Sequence, residues 1–185
     1  MTVRALLLPA MLAGSIAPAC APDIVGKASV IDGDTIEIHG QRIRLWGIDA
    51  LESDQLCRGD DSKHYQCGRL AANALATLFI GIPHPVACSP TGRDQYGRTV
   101  AVCFLGEPGP DIGKWLVTNG FALDWPQYSK GQYAEEQRGA EKAGREIWRG
   151  SFVEPGSIAP AGDLGTPSIS AVMRISPNPC RAVDA

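Results

Sequence analysis

The stretch over residues 31–52, Ile-Asp-Gly-Asp-Thr-Ile-Glu-Ile-His-Gly-Gln-Arg-Ile-Arg-Leu-Trp-Gly-Ile-Asp-Ala-Leu-Glu, leaves little choice of local structure. Residues 34–39 alternate, with Ile36 and Ile38 on one face and Glu37 and His39 on the other, the period of a half-buried strand. Gly40 marks a turn, and residues 42–48 return with Ile43 and Leu45 inward. The two runs pair as a hairpin that brings Asp34 near Gly47, so Asp34 and Asp49 reach the same end. Facing stays open. A two-residue turn at Gly40-Gln41 puts Asp34 and Asp49 on one face and Arg44 on the other. A three-residue turn groups Asp34 with Arg44, because a slip of one residue flips every side chain. A bulge near Gly47 is a further solution that reconciles all three.

Carboxylates at the end of a small sheet, here Asp34, Asp49 and Glu52, suit a hard cation such as Ca²⁺, which takes oxygen ligands. A neighbouring arginine suits phosphate, since its planar fork matches phosphate oxygens. Together they suggest phosphodiester chemistry. Taken singly, each piece has an ordinary reading: Asp32-Gly33 as a turn, and Glu37, Arg42 and Arg44 as the wet face of a hairpin.

The pattern Asp-Gly-Asp-Thr, then Arg44-Leu45, then Gly47-Ile48-Asp49, resembles the signature of the staphylococcal-nuclease-like (thermonuclease) family. A second family element, Tyr-Gly-Arg, matches Tyr96, Gly97 and Arg98, and the resemblance runs over residues 27–150. One departure is Leu51, where the family has proline before the glutamate; its loss frees the backbone that sets Glu52. The resemblance implies a five-stranded OB-fold barrel, α+β, with about three packed helices. It implies Ca²⁺ held by Asp34, Asp49 and the main-chain oxygen of Ala50, with Thr35 orienting a metal-bound water. It further implies Glu52 activating the attacking water, and Arg44 and Arg98 gripping the phosphate. Tyr96 contacts the nucleotide or simply closes its turn. DNA and RNA are the implied substrates, cut with little sequence preference to leave 3′-phosphates. A barrel that binds without cleaving is one rival, favoured by Leu51 and by the acidic charge. A structural module using Ca²⁺ for stability is another, and it leaves both arginines unexplained.

The formal charge is −3, falling to −4 without Arg4, so any basic footprint must be concentrated at the site. The first 21 residues read as a secretory signal: Arg4, an apolar run over 5–14, and cleavage after Ala17-Pro18-Ala19 or after Ala21. A lipid-anchoring signal at Cys20 is a poor match at Ala17-Pro18. The expected location is outside the cytoplasm, periplasmic or extracellular. No apolar run reaches the roughly 18 residues of a membrane span.

Six cysteines in an exported chain favour disulfides. Cys57 and Cys67 flank a polar loop, Cys88 and Cys103 lie symmetrically about Gln95-Tyr96, and Cys20 is left with Cys180. No C-x2-C spacing supports zinc. Strands are expected at 25–31, 86–88 and 99–105 beside the hairpin. Helices are expected from 61 or 62 to 81 with an apolar stripe from Cys67 to Phe79, from 111 to 120 with Asp111 as cap, and over 132–149. Trp125, Tyr128 and Tyr133 read as packing before they read as a base-stacking platform. His39, His64 and His84 carry no assigned role. The domain expected is 22–153, a monomer, followed by a Pro/Gly-rich tail over 154–185 with a short edge strand within 169–175.

Overall fold

A computed structural model describes residues 24–81, 84–106, 109–153 and 174–175. The expected signal peptide, the Cys20–Cys180 pair and most of the 154–185 tail lie outside the described residues. In chain order the strands are β1 (Ile24–Gly26), β2 (Ala28–Asp32), β3 (Thr35–Ile38), β4 (Gln41–Leu45), β5 (Ile48–Ala50), β6 (Cys57–Arg58), β7 (His64–Tyr65), β8 (Val86–Arg93), β9 (Thr99–Leu105), β10 (Ala122–Asp124) and β11 (Arg174–Ile175). The helices are α1 (Cys67–Ile80), α2 (Ile112–Thr118), α3 (Pro126–Ser129) and α4 (Ala134–Lys142), followed by a 3₁₀ turn at Glu146–Arg149.

The main sheet runs β1-β8-β9-β4-β3-β2, with β11 added to β8. Its two end strands are joined through Lys27 alone, so the sheet curls back on itself into a barrel. Counting β1 and β2 as one bent strand gives five. All neighbours are antiparallel except β4 and β9, and this is the α+β OB-fold.

The hairpin turn is His39-Gly40 rather than Gly40-Gln41: both residues have positive φ, 52° and 76°, as a two-residue hairpin turn requires. Thr35 therefore faces Arg44 and Ile38 faces Gln41. Asp34 meets Leu45, not Gly47, through Leu45 N–H donating to its carbonyl at 2.8 Å. The return strand ends at Leu45, three residues earlier than expected. A turn at Trp46-Gly47, with Gly47 at φ 74°, sends β5 off to pair with β10. No bulge is needed there.

Three other expectations need correcting. Helix α1 starts at Cys67, because residues 57–66 form the small β6–β7 hairpin inside a disulfide loop. Strand β8 extends to Arg93, with a register shift between Pro90 and Gly92, which accommodates a residue that cannot donate to the ladder. The last helix breaks after Lys142, where Gly144 turns left-handed at φ 59° and Arg145 packs so closely on Gly120 that a Cβ there would overlap its carbonyl.

Ile36, Ile38, Ile43, Leu45 and Ile48 are buried with Leu75 of α1 and Leu116 of α2 in the barrel core; each such side chain contributes about 1.5–3 kcal/mol. The Cys88–Cys103 bond crosses directly opposed positions of β8 and β9 inside it. A second cluster of Leu51, Cys57, Cys67, Leu123 and Ile147 lies under the segment that carries Glu52. Asp111 caps α2, its carboxylate accepting from Lys114 N–H. Tyr128 and Tyr133 are buried, as packing residues should be.

Candidate active site

Two turns, two strands and the segment after β5 build the site. The β2–β3 connection is Gly33-Asp34, so the Asp34 side chain escapes strand alternation. Gly33 is required for space: a Cβ there would crowd Ala71 of α1 and Ala50 of β5 at 2.8 and 2.9 Å. Arg44 projects from β4 and bridges two carboxylates, its Nη1 at 2.6 Å from Asp34 Oδ2 and its Nη2 at 2.7 Å from Asp49 Oδ1. Asp49 reaches it from β5 because the Trp46-Gly47 turn has redirected the chain. The Arg44 guanidinium also lies 5.3 Å from the centre of the half-buried Trp125 ring, a cation–π distance.

The second arginine stands on the β8–β9 turn. Asp94 accepts from Tyr96 N–H at 3.0 Å and from Arg98 N–H at 2.9 Å, and its other oxygen takes Arg98 Nε–H at 2.6 Å. One buried carboxylate thus closes the turn and aims the arginine. Thr35 joins the halves: its hydroxyl donates to Asp34 Oδ1 at 2.8 Å and accepts from Arg98 Nη1 at 3.4 Å. Tyr96 is 75% exposed, its ring 5.5 Å from the Arg98 guanidinium.

Asp34, Thr35, Arg44, Ala50, Glu52, Tyr96 and Arg98 line one cavity of about 220 Å³, together with Asp32 and Leu51. Asp49 joins the group through Arg44. The residues given a site role from the sequence thus lie in this cavity or, for Asp49, bonded to it through Arg44. A larger cavity of about 690 Å³ between α1, β2 and β8 has walls such as Ala76, Phe79 and Val86 and none of these charged groups. Chemistry, not volume, marks the site.

Its charge is lopsided. Five carboxyl groups (Asp32, Asp34, Asp49, Glu52 and Asp94) surround two guanidinium groups. Burial, then the neighbouring charges of Asp34 and Glu52, push Asp49 up to about 6 against the pull of Arg44. Glu52 is raised by burial and by Asp32 and Asp34. Burial opposes the charge on Arg44, yet Asp34 and Asp49 outweigh it and hold the guanidinium above its ordinary value. Among the described residues no three His, Cys, Asp or Glu side chains form a ready metal cage. Hard oxygen donors with excess negative charge nonetheless fit a cation that completes its shell from water and phosphate. Asp34, Asp49 and the Ala50 carbonyl would hold it.

Asp94, Asp32 and Gln55 were given no site role from the sequence, Asp32 being read as part of a turn. Asp94 had a signal, an aspartate two residues before the Tyr96-Gly97 turn, the position from which Asx side chains bond forward. Asp32 accepts from Ser53 Oγ–H at 2.6 Å and from Gly33 N–H at 2.8 Å.

An OB barrel with arginines and carboxylates converging at one mouth defines a nuclease-like domain. The family model for staphylococcal nuclease homologues matches residues 42–150, and the chain belongs to that family. It is 43% identical over 143 residues to the succinoglycan biosynthesis protein ExoI of Rhizobium meliloti (strain 1021), covering 77% of this chain and 73% of that one.

Proposed function

We propose that the protein is an exported, Ca²⁺-dependent phosphodiesterase that hydrolyses DNA and RNA with little sequence preference. The observation that carries this reading is the convergence of Asp34, Arg44, Asp49, Glu52 and Arg98 around one small cavity. Asp34, Asp49 and the Ala50 carbonyl would hold Ca²⁺, which would supply positive charge at the phosphate and make water easier to deprotonate. Glu52 takes the proton of the attacking water, and its raised pKa brings its basicity closer to neutral pH. Arg44 exchanges part of its carboxylate contact for phosphate oxygens. Arg98, aimed by Asp94, meets the charge developing on the phosphoryl group. Tyr96, exposed beside Arg98, contacts the nucleotide. Two disulfides among the described residues support a location outside the cytoplasm, and no described helix is long and apolar enough to cross a membrane.

A second reading is a module that binds nucleic acid or protein without cleaving. The excess of carboxyl over guanidinium groups favours it, and the relative's name places that protein in succinoglycan biosynthesis. The test incubates oxidised protein with single-stranded DNA, duplex DNA and RNA, with Ca²⁺ or a chelator, beside Glu52→Gln. Cleavage that needs Ca²⁺ and falls about 10²- to 10⁴-fold in the variant is the expected result. Intact substrate at low salt and high protein concentration selects the second reading.

A further inference from the structure

The carboxylate of Glu52 makes no hydrogen bond or ion pair among the described residues. Its direction is therefore set by its backbone, at the point where the family's proline is Leu51. Gln55 holds that backbone on both sides. Its N–H donates to the Glu52 carbonyl at 2.8 Å, and its side-chain Oε1 accepts from Glu52 N–H at 3.3 Å. The same side chain donates through Nε2 to the Val153 carbonyl, and the Gln55 carbonyl accepts from Gly68 N–H at 3.4 Å. Gln55 is only 7% exposed, so each of these bonds replaces water that cannot reach it.

The surroundings fix Gln55 in turn. Leu51, 1% exposed, is buried against Cys57 and Cys67, whose disulfide ties the chain two residues after Gln55 to the first residue of α1. The helix presses on the segment at Gly68, where a Cβ would overlap the Glu52 carbonyl oxygen. An apolar anchor, a covalent staple and a buried amide converge on one backbone unit.

We propose that Gln55, locked by the Cys57–Cys67 bond, is a positioning residue for Glu52. The proposal rests on the nuclease reading above. It accounts for Leu51: where a proline would stiffen the chain internally, packing and hydrogen bonds hold it from outside. The buried sulfurs mark the bond as a fixed part of the device and not a rapidly exchanging switch.

The test compares Gln55→Leu, which keeps bulk and loses both side-chain hydrogen bonds, with the double variant Cys57→Ser/Cys67→Ser. The control is Cys88→Ser/Cys103→Ser, which removes an equivalent bond far from Glu52 in the chain. Cleavage of single-stranded DNA with Ca²⁺, Ca²⁺ titration and thermal unfolding are measured for each. Gln55→Leu should lower kcat about tenfold to a hundredfold, the scale of a 1 Å misplacement, with KM and Ca²⁺ affinity within about twofold, since Asp34 sits in the β2–β3 turn and Asp49 and Ala50 are held by the pairing of β5 with β10. The Cys57/Cys67 variant should behave alike, while the control loses melting temperature and keeps kcat where folded. Wild-type kcat in Gln55→Leu, or a loss confined to KM and melting temperature, overturns the proposal. Should Gln55→Leu not fold, the folded Cys57/Cys67 variant decides by the same criteria. Wild-type protein that leaves DNA intact instead overturns the nuclease reading, and this proposal with it.

Discussion

Arg44 and Arg98 face the same cavity but are held by opposite strategies. Arg44 comes from the middle of the barrel, its side chain 13% exposed, and its two carboxylate partners arrive from a turn and a strand that only the folded barrel brings together. Arg98 sits on a surface turn, 28% exposed, bonded to a carboxylate four residues away. One arginine is positioned by tertiary structure and the other by local turn chemistry. The same functional group should therefore report on stability in one place and only on rate in the other.

The strongest way to break that contrast is to remove each guanidinium. Arg44→Met leaves the buried Asp34 and the half-buried Asp49 facing each other without a cation between them. It should destabilise the metal-free protein by about 3 kcal/mol, the scale of stripping one partner from a buried pair. Arg98→Met leaves Asp94 its two backbone donors and should change stability by less than about 1 kcal/mol. Both should lose about 10²- to 10³-fold in cleavage rate, as when one donor to a developing oxyanion is deleted. Urea unfolding and rate assays on both variants check this, and equal stability losses would sink the distinction.

A smaller effect sharpens it. Asp94→Ala removes the side chain that both closes the turn and orients Arg98, while Arg98 itself remains. The rate should fall about tenfold, an orientation penalty and not the loss of a charge. The protein should lose about 1 kcal/mol with the turn's side-chain hydrogen bonds, since water can reach the freed donors. A variant as slow as Arg98→Met would mean that Arg98 has no other support, although Thr35 contacts it.

The same division explains what was legible in the sequence. Ile36, Ile38, Ile43 and Leu45 announced their inward face because alternation holds inside a strand. Cys57–Cys67 and Cys88–Cys103 followed from spacing about a loop and a turn, and Asp111 from its place before a helix. The grouping of Asp34, Arg44 and Asp49 was not decidable, because two of the three lie outside the β3–β4 hairpin strands. Asp34 is in the Gly33-Asp34 turn, and Asp49 follows the Trp46-Gly47 turn, so period two says nothing about them. The start of α1 was misplaced because a disulfide and the β6–β7 hairpin, not helical propensity, decide where residues 57–66 go. The break after Lys142 is likewise tertiary: Arg145 has to meet Gly120. Local chemistry was readable, and convergence at the barrel mouth was not.

The gentlest probe of Arg44's surroundings is pH. Asp49 is raised from 3.8 to about 6, by burial first, and Asp34, Arg44 and Glu52 are the charged groups that act on it. A carboxyl with a raised folded-state pKa contributes stability that is complete below its unfolded value and lost as pH climbs through its folded one. Metal-free protein should therefore lose part of its stability between about pH 4 and pH 6 through this group. Ca²⁺ needs the ionised carboxylate, so its affinity should rise over the same interval and its binding should offset the loss. Thermal unfolding at pH 5 and pH 7.5, with chelator or with Ca²⁺, measures both slopes, and Asp49→Asn isolates the contribution of this one residue. If Asp49→Asn leaves the chelator and Ca²⁺ curves as far apart as in the wild type, Asp49 is not the carboxylate through which the barrel mouth takes its cation.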